Sequence, residues 1–365
     1  MTAFVVFTLI HAFLLISLSY CRVHTQHNAN PLSEEDPSIG FAELNEFENV
    51  FELGSKPINL VEVNEWPRDK SLNALRQVAG VAATNHSKVY VFHRGDRAWD
   101  NNTFDYFDVY QQRDKGPIDQ NTILILNSSN GDLIESWGKN MFYMPHGISL
   151  DPEGNVWVTD VALHQVFRFK KGIWDKPDLV LGQAFVPGND HKHFCKPTDV
   201  AISSSGIVYI SDGYCNSRIV ILDANGQVLR EIGTTDNLVV PHSLTLLENE
   251  DLICVADREQ RRVMCYTAGL SNMQPGTLVF KIPFAGPLYA IDRIGYILFG
   301  IIGPTPFQKP IGIAEALATE QILGTWEPKS GFSMPHDLSV SQKERAVYVT
   351  EIGKDALKKL YKFKF

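Results

Sequence analysis

Four short runs share one pattern, a proline that follows a loop and opens an apolar stretch typical of a β-strand. They are Met144-Pro145-His146-Gly147, Lys196-Pro197-Thr198-Asp199, Val240-Pro241-His242-Ser243 and Met334-Pro335-His336-Asp337. Three of the four place a histidine directly after the proline. If repeats that carry these runs surround an axis, their imidazoles converge on that axis. The runs therefore predict a repeat fold with a shared site.

A unit of about 40–50 residues, the length of a propeller blade, recurs from Gln77 onward. Each unit has an apolar strand, a turn rich in Gly, Asn or Ser, a β-branched and aromatic strand that ends at a polar tip, and a third strand. The prolines that open the units lie 52, 44, 46 and 48 residues apart, at Pro145, Pro197, Pro241, Pro287 and Pro335. This even spacing favours blades over the two layers of a β-sandwich, which is the alternative.

The count of six units predicts an all-β, six-bladed β-propeller. The first unit, 78–126, carries an insertion at 95–121, and the fifth, 277–303, is degenerate, with Leu288 in the place of the histidine. The third unit has Thr198 there. An early strand at 58–63 is expected to complete the last blade, because closing the ring removes exposed sheet edges.

The N-terminal residues predict a secreted protein. Residues 4–18 are almost wholly apolar and the chain then turns polar, so we interpret 1–21 as a signal peptide, with a signal anchor as the alternative. Residues 22–57 are interpreted as a polar, acidic and flexible leader, and 58–365 as the propeller. No later stretch is apolar for long enough to span a bilayer. We expect the mature chain in the secretory granule lumen or outside the cell.

Four cysteines remain after Cys21, which lies at the predicted cleavage boundary: Cys195, Cys215, Cys254 and Cys265. An even number suits an oxidising lumen. Of the three possible connectivities, the local one (195 with 215, 254 with 265) is favoured, because Cys254 and Cys265 flank a predicted hairpin turn. A four-cysteine zinc site is the competing interpretation, but no CxxC spacing supports it.

The net charge argues against one class of binding partner, and the sequence contains candidate glycosylation sites. The formal net charge is −9 over 365 residues, which argues against nucleic acid, because phosphate binding needs a basic stripe. Glycosylation sequons begin at Asn85, Asn101 and Asn127.

The three histidines predict a zinc site. His146, His242 and His336 hold one repeat position in units two, four and six, so they would surround the axis with threefold spacing. Three neutral imidazoles and one open position are the ligand set of a catalytic zinc site. The alternative is a structural Pro-His turn. Asp337 follows the last histidine and would bind a second, harder cation with backbone carbonyls, or orient a turn.

Three further residues are candidates for a functional site in the channel. Arg94 ends a strand of the first unit, where residues at the top of a blade face the channel; a surface ion pair with Asp96 or Asp100 is the alternative. Tyr214 stands on a loop beside a predicted disulfide, where a packing role is the alternative. Met334 would belong to the core or to the channel wall.

Long unbroken runs resemble peptidyl-α-hydroxyglycine α-amidating lyase, the second catalytic unit of peptide C-terminal amidation, in its monofunctional, insect-like form. The resemblance extends from residue 77 to the C-terminus and implies a propeller of NHL-type repeats. The runs include Val91-Phe92-His93-Arg94-Gly95-Asp96, His193-Phe194-Cys195-Lys196-Pro197-Thr198-Asp199 and Ser211-Asp212-Gly213-Tyr214-Cys215-Asn216-Ser217-Arg218.

The resemblance also implies a role for each candidate. It places zinc on His146, His242 and His336, calcium on Asp337 and the backbone carbonyls of Val81 and Ile148, catalysis on Arg94, Tyr214 and Met334, and disulfides at Cys195–Cys215 and Cys254–Cys265.

The implied reaction converts a peptidyl-α-hydroxyglycine to a peptide amide and glyoxylate, as in the processing of hormones and neuropeptides. Tyr214 is the candidate base. Because a free phenol has a pKa of about 10, this role requires a nearby cation, zinc or Arg94, that favours the phenolate. Alternatively, Arg94 binds the substrate carboxylate through paired hydrogen bonds.

The implied partner is a copper monooxygenase that hydroxylates the peptide. Residues 1–76 are too few to hold such a domain, so we expect it on a separate polypeptide and the lyase as a monomer. Two rival functions are a calcium-dependent, lactonase-like hydrolase, which would use carboxylate ligands, and a non-catalytic propeller that binds proteins.

Overall fold

The structure is a computed structural model that describes residues 56–85 and 87–365. These residues form six four-stranded antiparallel sheets, with two short 3₁₀ turns at Lys70–Ala74 and Arg113–Lys115. The predicted signal peptide, almost all of the leader and His86 of the first sequon lie outside the described residues. No helix in the described part is long and apolar enough to cross a bilayer.

Each sheet is one blade, and its strands follow one another from the axis outwards. The first described strand is β1 (Val61–Glu62). Blades one and two contain β2 (Val78–Ala83), β3 (Lys88–His93), β4 (Ile123–Asn127), β5 (Leu133–Trp137), β6 (Pro145–Leu150), β7 (Val156–Asp160), β8 (Gln165–Phe169) and β9 (Leu179–Leu181). Blades three and four contain β10 (Pro197–Ile202), β11 (Val208–Asp212), β12 (Arg218–Leu222), β13 (Val228–Ile232), β14 (Pro241–Leu247), β15 (Leu252–Asp257), β16 (Arg262–Thr267) and β17 (Leu278–Pro283). Blades five and six contain β18 (Leu288–Ile294), β19 (Ile297–Ile302), β20 (Ile311–Ala316), β21 (Gln321–Trp326), β22 (Pro335–Ser341), β23 (Ala346–Glu351) and β24 (Leu360–Lys364).

Blade six closes the ring with strands from both ends of the described chain. Its order is β22-β23-β24-β1, and Val61 of β1 pairs antiparallel with Lys364 of β24. Buried Lys362 adds a link to blade one, where its ammonium donates to the carbonyl oxygen of Ser128 at 2.6 Å. The six-bladed all-β prediction and the closing role of the early strand are therefore confirmed.

Two details of the repeat prediction were wrong. Each blade has four strands rather than three, because a half-exposed outer strand follows the third. The fifth unit does not begin at 277: β17 is the outer strand of blade four, and blade five starts at Leu288. The outer strands expose apolar residues such as Leu133 and Val180, so they lack the inward-facing apolar pattern by which the other strands were recognised.

The core lies between neighbouring blades. Phe92 of blade one packs edge-on against Phe142 at 5.0 Å between ring centroids, and Trp137 packs against Phe169 of blade two at 4.8 Å. Burial of such large apolar side chains between sheets is the main stabilising contribution. It holds the six inner strands in a fixed arrangement around the axis.

Candidate metal centre and active site

The inner strands share an irregularity at one position. The register of each inner strand shifts against its neighbour there, and such bulges re-aim side chains. In blades one to six the residues at this position are Ala79, His146, Thr198, His242, Tyr289 and His336.

Blade five therefore presents Tyr289, and the assignment of Leu288 to this position was wrong. The inner strands of blades two, three, four and six begin at their proline, whereas β18 begins at Leu288, one residue after Pro287. Counting from the proline could not reveal this offset of one residue.

The three histidines of blades two, four and six meet on the axis. The ring centroids of His146, His242 and His336 lie 4.8–5.0 Å apart, and one ring nitrogen from each lies within 4.8 Å of the others. All three side chains are buried. The geometry matches the nearly threefold arrangement expected from the sequence.

The odd-numbered blades orient the three rings. Each Nδ1 donates to the carbonyl oxygen of the bulged residue in the next blade: His146 to Thr198 at 2.8 Å, His242 to Tyr289 at 2.5 Å and His336 to Ala79 at 2.7 Å. A carbonyl oxygen only accepts, so Nδ1 carries the hydrogen and the lone pair of Nε2 faces the axis. Backbone carbonyls commonly orient metal-binding histidines in this way.

Burial keeps the three imidazoles neutral. It lowers the pKa of His336 to about 3, and it lowers the pKa values of His146 and His242 well below their usual range. The positive charges of Arg94 and Arg258 act in the same direction. A neutral imidazole is the form that binds a metal ion, so these residues are suited to a zinc ion.

Tyr214 is the residue that faces the histidines from the open side. Its phenolic oxygen lies 3.0 Å from Nε2 of His146 and 3.0 Å from Nε2 of His242. Its ring contacts the ring of Trp99, with 4.7 Å between centroids, and the guanidinium of Arg258, 5.1 Å from its centroid. Two neighbours therefore hold the ring while the oxygen points at the Nε2 atoms of two histidines.

The loop that carries Tyr214 is fixed by its neighbours. A Cβ atom on Gly213 would overlap the carbonyl oxygen of Pro241, so glycine lets this loop pack directly on blade four. The disulfide Cys195–Cys215 ties the next residue to the loop that precedes β10. Such restraints hold the side chain of Tyr214 in one position at the cavity.

Acidic residues at the end of the second strand in blades two, three, four and six support the loops that precede the inner strands. Asp160, Asp212 and Asp257 accept backbone N–H groups there. Glu351 departs from the Asp pattern of the other blades, but it accepts the N–H of Met334 at 2.6 Å and so plays the same part. The substitution leaves the architecture of blade six intact.

A cavity of about 240 Å³ opens above the histidines. It is lined by Gln77, Arg94, Trp99, Tyr214, Arg258, Tyr289, His336 and Ile352. Its lining divides into polar groups, among them the phenol and two guanidinium groups, and largely apolar side chains such as Trp99 and Ile352. A small polar group attached to a longer chain fits this division.

Arg94 is buried at the cavity and does not form the surface ion pair considered as the alternative. Its Nε donates to the carbonyl oxygen of Pro145 at 2.9 Å, and its Nη1 donates to Oε1 of Gln77 at 2.7 Å. Among the described residues its Nη2 has no hydrogen-bond partner. Burial lowers the pKa of Arg94 to about 10, which still leaves it charged at neutral pH.

Arg258 is a site residue that sequence reasoning missed. Its Nη1 lies 3.3 Å from the phenolic oxygen of Tyr214, and its guanidinium also lies 4.9 Å from the ring centroid of Tyr289. A positional signal existed: Arg94, Arg258 and Ile352 each directly follow the second strand of their blade, and all three line the cavity.

A smaller chamber lies below the histidines and is lined by Asp199 and Asp337. Asp337 accepts the N–H of Val81 at 2.8 Å, and Asp199 accepts that of Leu244 at 2.8 Å. Burial, reinforced by the charge of Asp199, raises the pKa of Asp337 well above its usual range, and burial raises that of Asp199 to about 6. Asp199 was also missed, although Pro197-Thr198-Asp199 and Pro335-His336-Asp337 have the same spacing.

The remaining site predictions fall in three groups. Both local disulfides, Cys195–Cys215 and Cys254–Cys265, are present and indicate an oxidising, secretory-type environment. Met334 is half-buried beside the cavity, where its carbonyl oxygen accepts the N–H of Ile352. The sequon residues Asn85 and Asn101 are exposed, and Asn127 is half-buried at the end of β4.

Sequence comparison identifies the repeats and the relatives. Residues 142–169 and 194–222 match the NHL repeat family. The chain is 40% identical over 332 residues to peptidyl-alpha-hydroxyglycine alpha-amidating lyase 2 of Drosophila melanogaster, covering 89% of this chain and 80% of that protein. It is 38% identical over 342 residues to peptidylglycine alpha-amidating monooxygenase of Rattus norvegicus, covering 90% of this chain but 34% of the rat protein. This chain thus spans about a third of the rat protein.

Structural comparison supports the fold alone. The propeller superposes on virginiamycin B lyase from Staphylococcus aureus with a TM-score of 0.50 at 12% identity, covering 84% of this chain and 99% of that one. Sequence identity to the fly lyase over most of both lengths carries more information than this distant likeness. The chain therefore belongs to the peptidyl-α-hydroxyglycine α-amidating lyase family of enzymes, which catalyse the lyase step of peptide amidation.

Proposed function

We propose that this enzyme is a zinc-dependent lyase that cleaves a C-terminal peptidyl-α-hydroxyglycine to a peptide amide and glyoxylate. The observation that carries the proposal is the meeting of three oriented Nε2 atoms and one phenolic oxygen at the floor of a cavity with two arginines. Carboxylate ligands, which a calcium-dependent lactonase-like hydrolase would require, do not line the upper cavity in the described chain. A propeller that only bound proteins would need no such set.

The donor set fits zinc. His146, His242 and His336 would hold the ion through Nε2, with the fourth side open to the cavity. Zinc bound there would supply a Lewis acid that acidifies a hydroxyl group placed beside it.

Tyr214 would move the proton. The hydroxyl proton of the substrate passes to the oxygen of Tyr214 in its phenolate form, the C=O bond forms as the C–N bond breaks with its electron pair on the amide nitrogen, and the resulting phenol returns the proton to that nitrogen. The carbon becomes the aldehyde of glyoxylate, so no oxidant or reductant is needed. Arg258, 3.3 Å from the phenolic oxygen, supplies a fixed positive charge beside the phenolate that accepts the proton.

Arg94 would bind the substrate carboxylate. Two of its nitrogens are already engaged by Pro145 and Gln77, which fixes the plane of the guanidinium, while Nη2 remains available. Because Arg258 stands nearer the phenol, the two alternative roles considered for Arg94 divide between two residues. Charge-assisted hydrogen bonds of this kind fix a carboxylate in one orientation.

Asp337 and Asp199 would hold a calcium ion below the zinc site. Two carboxylates line one buried chamber, and a hard divalent cation offsets their mutual repulsion with oxygen ligands. We retain the backbone carbonyls of Val81 and Ile148 as proposed ligands. The ion would tie blades one, two, three and six together, so its role is structural.

The substrates would come from a monooxygenase that hydroxylates C-terminal glycine, the activity in the name of the rat relative. We propose that the lyase acts as a monomer in secretory granules or outside the cell, consistent with its disulfides.

The test is release of glyoxylate from benzoyl-α-hydroxyglycine by the purified chain. Activity should disappear with a chelator and return with zinc, while benzoylglycine without the hydroxyl is not cleaved. The rate without enzyme is measured at each pH, because the substrate also decomposes by itself. A folded protein that binds no zinc and releases no glyoxylate would sink the proposal.

A further inference from the structure

The insertion of blade one, residues 95–121, crosses the top of the propeller to the loop before β10. Its Asp108 accepts from Nζ of Lys196 at 2.6 Å. The side chain of Lys196 is only 9% exposed and that of Asp108 is 34% exposed, so the ammonium is largely removed from water and its attraction to the carboxylate is less screened than at the open surface.

Lys196 also contacts the aromatic side of the insertion. Its Nζ lies 4.6 Å from the ring centroid of Phe104 and 5.9 Å from that of Trp99. The rings of Phe104 and Trp99 lie 5.1 Å apart. One ammonium group therefore contacts both Asp108 and the two aromatic rings of the insertion. Its contacts with the rings are typical of cation–π interactions.

The backbone of Lys196 is held as firmly as its side chain. Its φ of 57° lies in the left-handed region, and its N–H donates to Nδ1 of His164 at 3.0 Å. It follows Cys195, whose disulfide partner Cys215 follows Tyr214. A left-handed non-glycine residue persists only where its surroundings fix it.

These contacts form a closed path around Tyr214. From the phenol, one branch runs through Cys215 and the disulfide to Lys196, and the other runs through the ring of Trp99, 4.7 Å from the Tyr214 ring. The two branches meet where the ammonium of Lys196 faces Trp99. Lys196 thus couples the loop that carries the phenol to the residue that covers it.

We propose that Lys196 is a positioning residue for the lyase reaction: through Asp108 it holds the insertion so that Trp99 fixes the ring of Tyr214. This inference rests on the proposed role of Tyr214 in proton transfer. The guanidinium of Arg94 is held by Pro145 and Gln77, which lie outside the insertion, so its proposed contact with the substrate carboxylate does not require the ion pair. Its loss should therefore affect kcat more than KM.

The test compares Lys196→Met, Lys196→Arg and Asp108→Asn with Lys192→Met, an exposed lysine in the same loop, as control. Methionine keeps an unbranched apolar side chain but removes the charge. Displacement of a reacting group by about 1 Å can cost about 100-fold, so we expect kcat to fall about 10- to 100-fold in Lys196→Met. KM should stay within about twofold of the wild-type value, because the carboxylate contacts persist.

A conservative variant and a double variant distinguish a positioning role of Lys196 from a general loss of structure. Lys196→Arg should recover most of kcat, Asp108→Asn should reproduce the loss, and the double variant should lose no more than either single change. Unchanged kcat in both charge-removing variants, or losses that multiply in the double variant, would overturn the inference. If Lys196→Met fails to fold, Asp108→Asn still tests the ion pair, because Asp108 is the more exposed of the two residues. Absence of glyoxylate release by the wild type would instead count against the proposed function.

Discussion

Nδ1 of His336 donates to the carbonyl oxygen of Ala79 at 2.7 Å, although 257 residues separate them. This hydrogen bond joins the last blade to the first at the axis, and two equivalent bonds relate the other blades. The orientation of the proposed zinc ligands therefore depends on closure of the ring.

Removal of one zinc ligand should abolish metal binding without unfolding the ring. His242→Ala deletes one of three Nε2 donors but leaves the packed faces between blades untouched. We expect zinc affinity to fall at least about 100-fold with a cooperative thermal transition retained. Zinc content after dialysis and the melting temperature are the measurements, with exposed His191→Ala as control. Global unfolding of His242→Ala alone would assign the histidine a structural role.

Loss of the phenolic oxygen should stop the chemistry while the metal stays bound. Tyr214→Phe keeps the ring in contact with Trp99 and Arg258 but removes the proton carrier. We expect kcat to fall about 10²- to 10⁴-fold with unchanged zinc content. Tyr143→Phe, on a nearby half-buried tyrosine, should retain activity. Near-normal kcat in Tyr214→Phe would exclude the residue as the base.

The two arginines should respond differently to a substrate without a carboxylate. Arg94→Gln should lower kcat/KM for benzoyl-α-hydroxyglycine about 10- to 100-fold, since a hydrogen bond to a charged group is lost. It should change kcat/KM for the methyl ester little. Arg258→Gln should impair both substrates, because the phenol reacts in both. Equal sensitivity of acid and ester to Arg94→Gln would contradict a carboxylate-binding role.

Calcium should stabilise the propeller through Asp337. A ligand that binds only the folded state at 100 times its Kd adds about 2.7 kcal/mol to the free energy of unfolding. We expect added calcium to raise the melting temperature of the wild type but not that of Asp337→Asn. Asp355→Asn, on an exposed loop of the same blade, is the control. An equal calcium response in all three proteins would place the ion elsewhere.

The free energy of unfolding should decrease as pH rises, because the buried side chain of Glu315 loses its proton. Burial, with a smaller effect of Glu320, raises the pKa of Glu315 from 4.5 to about 7. Between these values the folded state holds more protons than the unfolded state, so the free energy of unfolding falls as pH rises. Below pH 4.5 the two states are equally protonated, and above about 7 the loss is complete.

Glu315→Gln removes this penalty. Relative to wild type, it should be near neutral at low pH and more stable by about 1–2 kcal/mol at pH 8, after allowance for solvent screening. Urea unfolding across this pH range is the measurement, with exposed Glu327→Gln as control. A stability difference that does not change with pH would show that Glu315 binds its proton equally in the folded and unfolded states.

Local repetition made much of the site predictable. The spacing of Pro145, Pro241 and Pro335 marks where each blade begins. A residue that recurs at the same distance from these prolines therefore occupies the equivalent position in each blade. The pairing of the cysteines was also predictable, because the two members of each pair are close in sequence. Arg94 and Tyr214 were recognised from the runs around them.

The residues that sequence reasoning missed or misplaced act across blades. Tyr289 replaces Leu288 at the axis because β18 starts one residue later than the other inner strands. Arg258 reaches Tyr214 on the neighbouring blade, and Asp199 faces Asp337 across the chamber. Such contacts depend on strand register and blade approach, which no local pattern encodes.

By itself, then, the sequence determined the blade count, the alternation of histidines and the local disulfides, because these follow from periodicity and from short loops. Only the tertiary structure decided which carbonyl orients each imidazole, which arginine faces the phenol and which lysine anchors the insertion. Each of these depends on the distance between segments that meet only when the ring closes. The physical reason is that bulges, glycine contacts and ion pairs set those distances, and a repeat pattern carries no information about them.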